Sequence, residues 1–191
     1  MRTLRYLGDP VLRRKATPVA AVDEAIRRLA ADMTAVMREA GGIGLAANQV
    51  GALHRVILVD VSAGKDAAAL RIVLNPRIAR SDGSHTDEEG CLSLPGLRAP
   101  VRRAMTARIE GMGMDGQPVA IETAGLEARA FQHEIDHLNG ILFIDRLPIM
   151  KKIRMWKELR RLKKHYAKIR KEQDSTSTAE VRSQSESSGL A

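Results

Sequence analysis

The residues best suited to do chemistry in this 191-residue chain form the run His133-Glu134-Ile135-Asp136-His137. Residues four apart on an α-helix share a face, so both imidazoles can bind one metal ion. Glu134, one residue along, would then reach a water molecule on that ion. Apolar residues lie around the motif, and this favours a metal site over two solvent-facing histidines; they are Leu126, Ala130, Phe131, Ile135 and Leu138.

A catalytic metal site of this kind needs a third protein ligand and one open position. The metzincin pattern would require histidine at the position of Phe143, so that class is excluded. Glu158, the downstream glutamate of a thermolysin-like arrangement, lies within a strongly cationic stretch. Cys91, the single cysteine, lies in a short segment between turn-forming stretches. A lone cysteine is more often a small buried hydrophobe, but the missing third ligand makes Cys91 the favoured donor here.

Three separated motifs resemble those of the peptide deformylases. They are GIGLAANQ at residues 42–49, EGCLS at 89–93 and QHEIDHL at 132–138. The opening segment GDPVLRRKATPV is also similar to the start of that family, and the resemblance covers about residues 3–150. It implies a hydrolase that removes the N-formyl group from the N-terminal methionine of nascent polypeptides and releases formate.

The resemblance assigns one divalent metal ion per chain to Cys91, His133 and His137. It implies Fe²⁺, although two imidazoles and a thiolate also suit Zn²⁺, Ni²⁺ or Co²⁺. It further implies that a metal-bound hydroxide attacks the formyl carbon. Glu134 would be the general base for the water and then the general acid for the departing amine.

Contacts to the substrate are implied as well. The Gln49 side-chain amide and the Leu92 backbone N–H would stabilise the negative oxygen of the tetrahedral intermediate. Small residues around Gly44 would let the substrate backbone approach closely, as an added strand. For the methionine side chain we propose pocket walls from positions beside the matched motifs, namely Ile43, Leu126 and the stem of Arg129.

Other residues near the motifs have supporting roles in this interpretation. Gln132 and Asp136 are expected to accept hydrogen bonds from the metal-binding histidines, which usually donate their second N–H. For Glu89 the sequence leaves two roles open, an ion pair and catalysis, and it does not choose between Arg98 and Arg103 as the ion-pair partner. Two positions depart from the best-known bacterial forms: Gly41 replaces a common acidic residue, and Arg129 replaces a common apolar one.

An α+β fold is predicted to position these residues, with antiparallel sheets packed around the central helix that bears the HExxH motif. Apolar spacing predicts an N-terminal helix after Asp23 that ends at Gly41 and Gly42. Strands are predicted over residues 55–61 and 71–74, and a hairpin over 105–122 that turns at Asp115-Gly116. The second helix is predicted over about 126–139, and the small-residue segment GIGLAANQVG is predicted to be a loop.

The chain is divided by pattern into a catalytic domain over residues 1–150, a basic amphipathic C-terminal helix and a tail. The helix begins at Lys151 and ends at Glu172, and its apolar residues recur at steps of three and four. Residues 173–191 are rich in serine and threonine with little to bury, so we expect this tail to be disordered.

Charge is concentrated in that helix. The chain has a net charge of +8, whereas residues 151–172 alone carry 11 basic and 2 acidic residues. The near-neutral remainder excludes a wholly basic, DNA-coating protein and indicates a localised anionic partner. The resemblance implies that this partner is the ribosome near its exit tunnel. The alternative is a solvated helix whose apolar stripe packs on the catalytic body.

No apolar run is long enough for a signal peptide or a membrane span, so we expect a cytoplasmic protein with neither a membrane nor a DNA partner. Two other functions fit parts of the pattern. One is a different metallohydrolase, such as a peptidase. The other is an RNA-binding module with a structural metal site, but such sites are normally closed by four protein ligands, and no fourth cysteine or histidine is matched.

Overall fold

The computed structural model describes the backbone of residues 2–187 and the side chains of residues 2–169. Its helices and strands, in chain order, are α1 (Glu24–Glu39), β1 (Gly44–Ala46), β2 (Val56–Val59), β3 (Arg71–Asp82), β4 (His85–Gly90), β5 (Arg98–Arg103), β6 (Thr106–Met112), β7 (Pro118–Ala124), α2 (Gly125–Leu138) and α3 (Ile149–Ser187). Short 3₁₀ turns at Ala47–Val50 and Phe143–Arg146 follow β1 and α2.

All strand pairs are antiparallel. Five strands form one sheet in the order β1-β2-β3-β6-β7, and β4 and β5 form a separate hairpin. The predicted α+β class is therefore confirmed. The β6–β7 hairpin turns as predicted at Asp115-Gly116, where Gly116 has a φ of +81°, a backbone conformation that favours glycine.

Helix α1 begins where its sequence predicts. The Asp23 side chain accepts a hydrogen bond from the Ile26 N–H, which satisfies one of the free donors at the helix start. One face of α1 is buried against β1 and β2, and its core residues include Leu29, Met33 and Met37. An amphipathic helix thus covers one part of the five-stranded sheet.

Helix α2 lies in the centre of the molecule. Every residue from Ala128 to Leu138 is buried, so the helix is enclosed on all sides and not on one face alone. Phe131 and Ile135 pack with Ile57 and Ile109 of the sheet. The predicted central position of the HExxH helix is confirmed, and each polar group on it must find its partner inside the protein.

Helix α3 packs on the body through part of its apolar stripe. Leu159 and Leu162 contact a cluster that the N-terminal segment shares with β5, and the Tyr166 ring stacks on Tyr6 with centroids 4.0 Å apart. The start of the stripe is exposed instead, with Ile153 at 60% and Trp156 at 55%.

The backbone of α3 continues to Ser187 and so extends past residue 172, where the basic helix was predicted to end. The side chains from residue 170 onward and residues 188–191 lie outside the described part of the chain. The disordered tail and the three-part division therefore stay predictions. Within the described residues, no helix has both the length and the apolar character that a membrane span requires.

Three strand regions were not predicted. One is the second part of β3, which continues to Asp82 although the strand was predicted over residues 71–74 alone. The segment predicted to be a loop contains β1, a strand of three residues that pairs with β2 from Gly44↔Val59 to Ala46↔Ile57. The β4–β5 hairpin also escaped the sequence analysis, and it ends at Gly90, immediately before Cys91. Strand β1 contains residues of the first matched motif, and β4 ends with Glu89 and Gly90 of the second.

Candidate active site

Helix α2 and the segment after β4 bring together three side chains that could hold a metal ion. The Nε2 atoms of His133 and His137 are 3.2 Å apart, and the Cys91 Sγ lies 3.2 Å from the Nε2 of His137. Both histidines are buried, and Cys91 is half-buried. All three ligand atoms lie within 4.8 Å of one another, as the sequence predicts for a shared metal ion.

The donor set fits a divalent metal ion. Bond lengths of about 2.0–2.3 Å in a tetrahedral site place ligand atoms roughly 3.3–3.7 Å apart, close to the separations seen here. Burial lowers the pKa of His137 well below its ordinary value, and a neutral imidazole offers a lone pair to a metal. Among the described residues, no fourth cysteine, histidine or carboxylate joins this group, and Glu158 is exposed on α3.

Glu89 orients His133 from behind. Its Oε1 lies 2.6 Å from the His133 Nδ1, which leaves the Nε2 directed at Cys91 and His137. Arg103 donates to both Glu89 oxygens, at 2.7 and 3.1 Å, and Arg129 donates to one at 3.1 Å. The ion-pair partner left open between Arg98 and Arg103 is therefore Arg103, and Arg129 is a second partner that the sequence did not suggest.

Burial alone would raise the pKa of Glu89. The hydrogen bonds and charges of His133 and Arg103 outweigh burial and hold this pKa well below its ordinary value. For His133 burial would lower the pKa, but hydrogen bonds to Cys91 and Glu89 raise it. Glu89 is thus a permanent carboxylate that favours the orientation of His133 seen here.

Asp136 and Gln132 do not accept from the metal-binding histidines, contrary to expectation. Asp136 accepts from Arg103 at 2.5 Å and from Arg146, while the Gln132 amide binds the backbone N–H and carbonyl of Ala104. The partner of the His133 Nδ1 is instead Glu89, which lies on β4. The Nδ1 of His137 is buried, with no partner among the described residues.

Glu134 faces the cleft from a buried position. Burial raises its pKa to about 7, and its Oε2 has no hydrogen-bond partner among the described residues. Its Oε1 lies directly against Gly44, where any Cβ would collide with the carboxylate. A carboxyl group with a pKa near neutrality can both accept and release a proton.

Gln49 and Leu92 lie beside the three metal-binding side chains. The Gln49 Oε1 accepts from the Ala46 N–H at 2.8 Å, so its Nε2 points toward Cys91 Sγ at 3.5 Å and Ser93 Oγ at 3.2 Å. The Leu92 N–H donates to no backbone oxygen in the described part of the chain. The Leu92 N–H is therefore an available donor, and the Gln49 amide lies beside Cys91 with contacts to Cys91 and Ser93.

A cleft of about 610 Å³ opens onto these residues. Its walls include all three residues proposed for the methionine pocket, Ile43, Leu126 and Arg129. Leu126 is 53% exposed, whereas the Arg129 guanidinium is bound to Glu89 and to the carbonyls of Val101 and His85, which leaves its stem as the wall.

The N-terminal segment forms a wall of the same cleft, which the sequence analysis missed. Leu4 and Tyr6 line it, and backbone hydrogen bonds from Arg5 to Gln49 (2.7 Å) and from Leu7 to Ser93 (2.9 Å) hold the segment in place. The sequence signal for this wall of the cleft was weak, since it consisted of the apolar residues Leu4 and Tyr6 before the first proline.

Comparison with known proteins gives one consistent family. A family model described as polypeptide deformylase matches residues 1–153. The chain is 48% identical over 153 residues to a peptide deformylase of Syntrophobacter fumaroxidans, covering 78% of this chain and 90% of that protein. It is 46% identical over 144 residues to that of Halothermothrix orenii, covering 75% and 92%. The solved peptide deformylase of Thermus thermophilus superposes with a TM-score of 0.79 at 43% identity, covering 87% and 99%.

Proposed function

We propose roles for individual residues from the premise that this chain belongs to the polypeptide deformylase family, metal-dependent hydrolases that remove the N-formyl group from nascent peptides. Cys91, His133 and His137 hold the metal ion, and Glu134 transfers the protons. The observation that carries this assignment is the convergence of one sulfur and two imidazole nitrogens beside a buried, unpaired Glu134 oxygen.

A divalent ion bound there supplies Lewis-acid chemistry, since it polarises a carbonyl oxygen and activates water near neutral pH. Glu134 takes the proton of the attacking water and delivers it to the departing amine, for which its pKa of about 7 is suited. The Gln49 Nε2 and the Leu92 N–H donate to the oxygen that gains negative charge. Removal of one such donor typically lowers the rate about 10²- to 10³-fold.

The substrate backbone binds beside β1. This strand lies at the edge of the five-stranded sheet, so one side of Gly44–Ala46 pairs with no other strand in the described part of the chain. An extended peptide can add there as a further strand and bring its formyl group to Glu134.

The methionine side chain then enters the pocket of Ile43, Leu126 and the Arg129 stem. Leu126→Asp should raise the KM for formyl-methionyl peptides, because it places a charge in an apolar wall. An unchanged KM would remove Leu126 from the pocket.

The decisive experiment for the proton carrier is Glu134→Gln. The variant should fold and retain metal, while formate release from formyl-Met-Ala-Ser falls by about 10²- to 10⁴-fold. Glu127→Gln is the matched control, because Glu127 lies on the same helix but binds Thr123 outside the cleft. Near-normal turnover in Glu134→Gln would contradict the assignment, and cleavage of peptide bonds by the unmodified enzyme would favour a peptidase.

For the metal we infer Fe²⁺, with Zn²⁺, Ni²⁺ and Co²⁺ as substitutes that the same donors accept. Metal analysis of protein purified without oxygen tests this inference. Iron should be the main metal in that protein, and exposure to air should lower both the iron content and the activity. A zinc-loaded protein from the same preparation would contradict it.

We also infer a cytoplasmic enzyme that docks on the ribosome through α3. Several cations of this helix are exposed, including Arg154, Lys157 and Arg161, and can contact RNA phosphates. Such binding should weaken steeply as salt is added. Co-sedimentation with ribosomes that does not change between low and high salt would contradict an electrostatic contact of this kind.

A further inference from the structure

A second cavity lies apart from the substrate cleft and shares no lining residue with it. Its volume is about 330 Å³, and it is bounded by the end of β3, by β5, by α2 and by the 3₁₀ turn after α2. Its polar lining consists of Arg102, Arg103, Arg146, Ser81, Ser84 and Gln132.

Positive charge dominates this cavity. Three arginines line it, and none of its lining residues is an aspartate or glutamate. The carboxylates that form ion pairs with arginines of this cavity are Glu89 and Asp136. Together they bind Arg103, Arg129 and Arg146. Arg102 has no ion pair in the described part of the chain. The cluster therefore carries an excess of cations that its own carboxylates do not neutralise.

Hydrogen-bond donors without partners face the same space. Arg146 uses Nε and Nη2 for Asp136, and its Nη1 remains available. The guanidinium of Arg102 and the hydroxyls of Ser81 and Ser84 have no hydrogen-bond partner among the described residues. The Gln132 amide, by contrast, is fully used by backbone groups. Guanidinium and hydroxyl donors around one cavity match a ligand that offers several acceptor oxygens.

We propose that this cavity is a phosphate-binding site. Arg102 and the free Nη1 of Arg146 neutralise the charge, and the two serine hydroxyls donate to the remaining oxygens. Asp136 keeps the Arg146 guanidinium in place at its other edge, because both of its oxygens accept from it. The phosphate is either a free anion or a phosphodiester of an RNA strand, since both present the same oxygens. The cavity shares no lining residue with the substrate cleft, although Arg103 belongs both to its lining and to the ion pair with Glu89 behind His133.

Titration of the full-length metal-loaded enzyme tests the site, with inorganic phosphate in one arm and a short single-stranded RNA without terminal phosphate in the other. Calorimetry at low ionic strength measures both. Arg102→Gln should weaken binding by about ten- to hundredfold, the usual range for a hydrogen bond to a charged group. Ser84→Ala should weaken it severalfold without any change in net charge.

Arg80→Gln is the matched control. Arg80 is an exposed arginine of β3 that lines none of the cavities described here, so it changes the net charge equally. Its affinity for phosphate should stay at the unsubstituted value. Equal losses in Arg80→Gln and Arg102→Gln, or no binding in either arm, would overturn the proposal. Binding in the phosphate arm alone identifies a free anion, and binding in the RNA arm identifies a phosphodiester; either supports the site if Ser84→Ala weakens it.

Discussion

Two regions of this molecule contain arginines in opposite environments, buried among carboxylates in one region and exposed to solvent in the other. Behind the metal-binding side chains, Arg103 and Arg129 have side chains only 2% and 9% exposed and bind buried carboxylates. On α3, Arg154 and Arg161 are exposed to solvent. The first group has lost its hydration and depends on Glu89 and Asp136, whereas the second keeps its hydration and is free to meet a partner. The net charge of the chain therefore does not reveal whether a given arginine forms a buried ion pair or is exposed to a binding partner.

The largest effect is expected for Arg103→Met. It removes the cation that joins Glu89 to Asp136 and leaves both carboxylates with fewer buried partners. Unfolding should need about 3–5 kcal/mol less free energy, as for other broken buried ion pairs. Arg102→Met, the adjacent but exposed residue of β5, should change stability by no more than about 0.5 kcal/mol. Equal losses of unfolding free energy in Arg103→Met and Arg102→Met, measured by denaturant titration, would contradict the distinction between the two regions.

Glu89→Gln should act on metal binding. The substitution keeps the shape of the side chain but weakens the acceptor of the His133 N–H, and loss of such an acceptor typically costs about 10- to 100-fold in metal affinity or activity. Competition with a chelator measures the affinity. Glu88→Gln, an exposed neighbour on the same strand, should retain the unsubstituted value. Equal metal affinity in the two variants would show that Glu89 stabilises the fold and has no role in metal binding.

A smaller effect is expected for Arg129→Met, because Glu89 keeps Arg103 and the new side chain still fills the wall of the cleft. The loss of charged hydrogen bonds should cost about 1–3 kcal/mol of stability, while the KM for formyl-methionyl peptides stays nearly constant. Arg71→Met is the control, since Arg71 pairs with Glu127 at 3.9 Å and is 48% exposed. A large rise in KM with unchanged stability would place the guanidinium itself in substrate binding.

The smallest effect on stability is expected on α3. Arg161→Gln combined with Lys164→Gln should change the free energy of unfolding by no more than about 0.5 kcal/mol per residue, because both side chains are exposed. Co-sedimentation with ribosomes should nevertheless weaken, since each lost cation removes a phosphate contact. Unfolding curves and sedimentation are measured on the same preparations. A marked loss of stability would show that these cations pack as the buried arginines do.

Much of the molecule was predictable from local pattern. Helices α1 and α2 and the β6–β7 hairpin follow from apolar spacing and from the residues that begin or end them. The proximity of Cys91 to His133 and His137 was also predicted, because helical spacing fixes two of the three positions. The helices, the hairpin and the spacing of the two histidines depend on short-range chemistry within one stretch of sequence. Cys91 lies in a distant segment, and its place beside them was predicted from the resemblance and from the lack of another third ligand.

The unpredicted parts depend on contacts between distant segments. Strand β1 has small residues and becomes a strand only through its pairing with β2. Alternation in β5 could have been recognised, because Ala99, Val101 and Arg103 are buried while Arg98 and Arg102 are exposed. That pattern places Arg103 on the inner face. Its partners still come from β4 and α2, so no local signal identifies Glu89 and Asp136 together.

The stacking of Tyr6 on Tyr166 joins the segment before α1 to α3, two parts of the chain that are far apart in sequence. Arg5 and Leu7 emerge early but must wait for Gln49 and Ser93 before they can bind, and Tyr6 waits longer still. The wall that these residues give to the cleft is thus assembled last, although its chain is made first. A polypeptide interrupted before α3 would lack that support, so this wall of the substrate cleft is completed only after α3 has been synthesised.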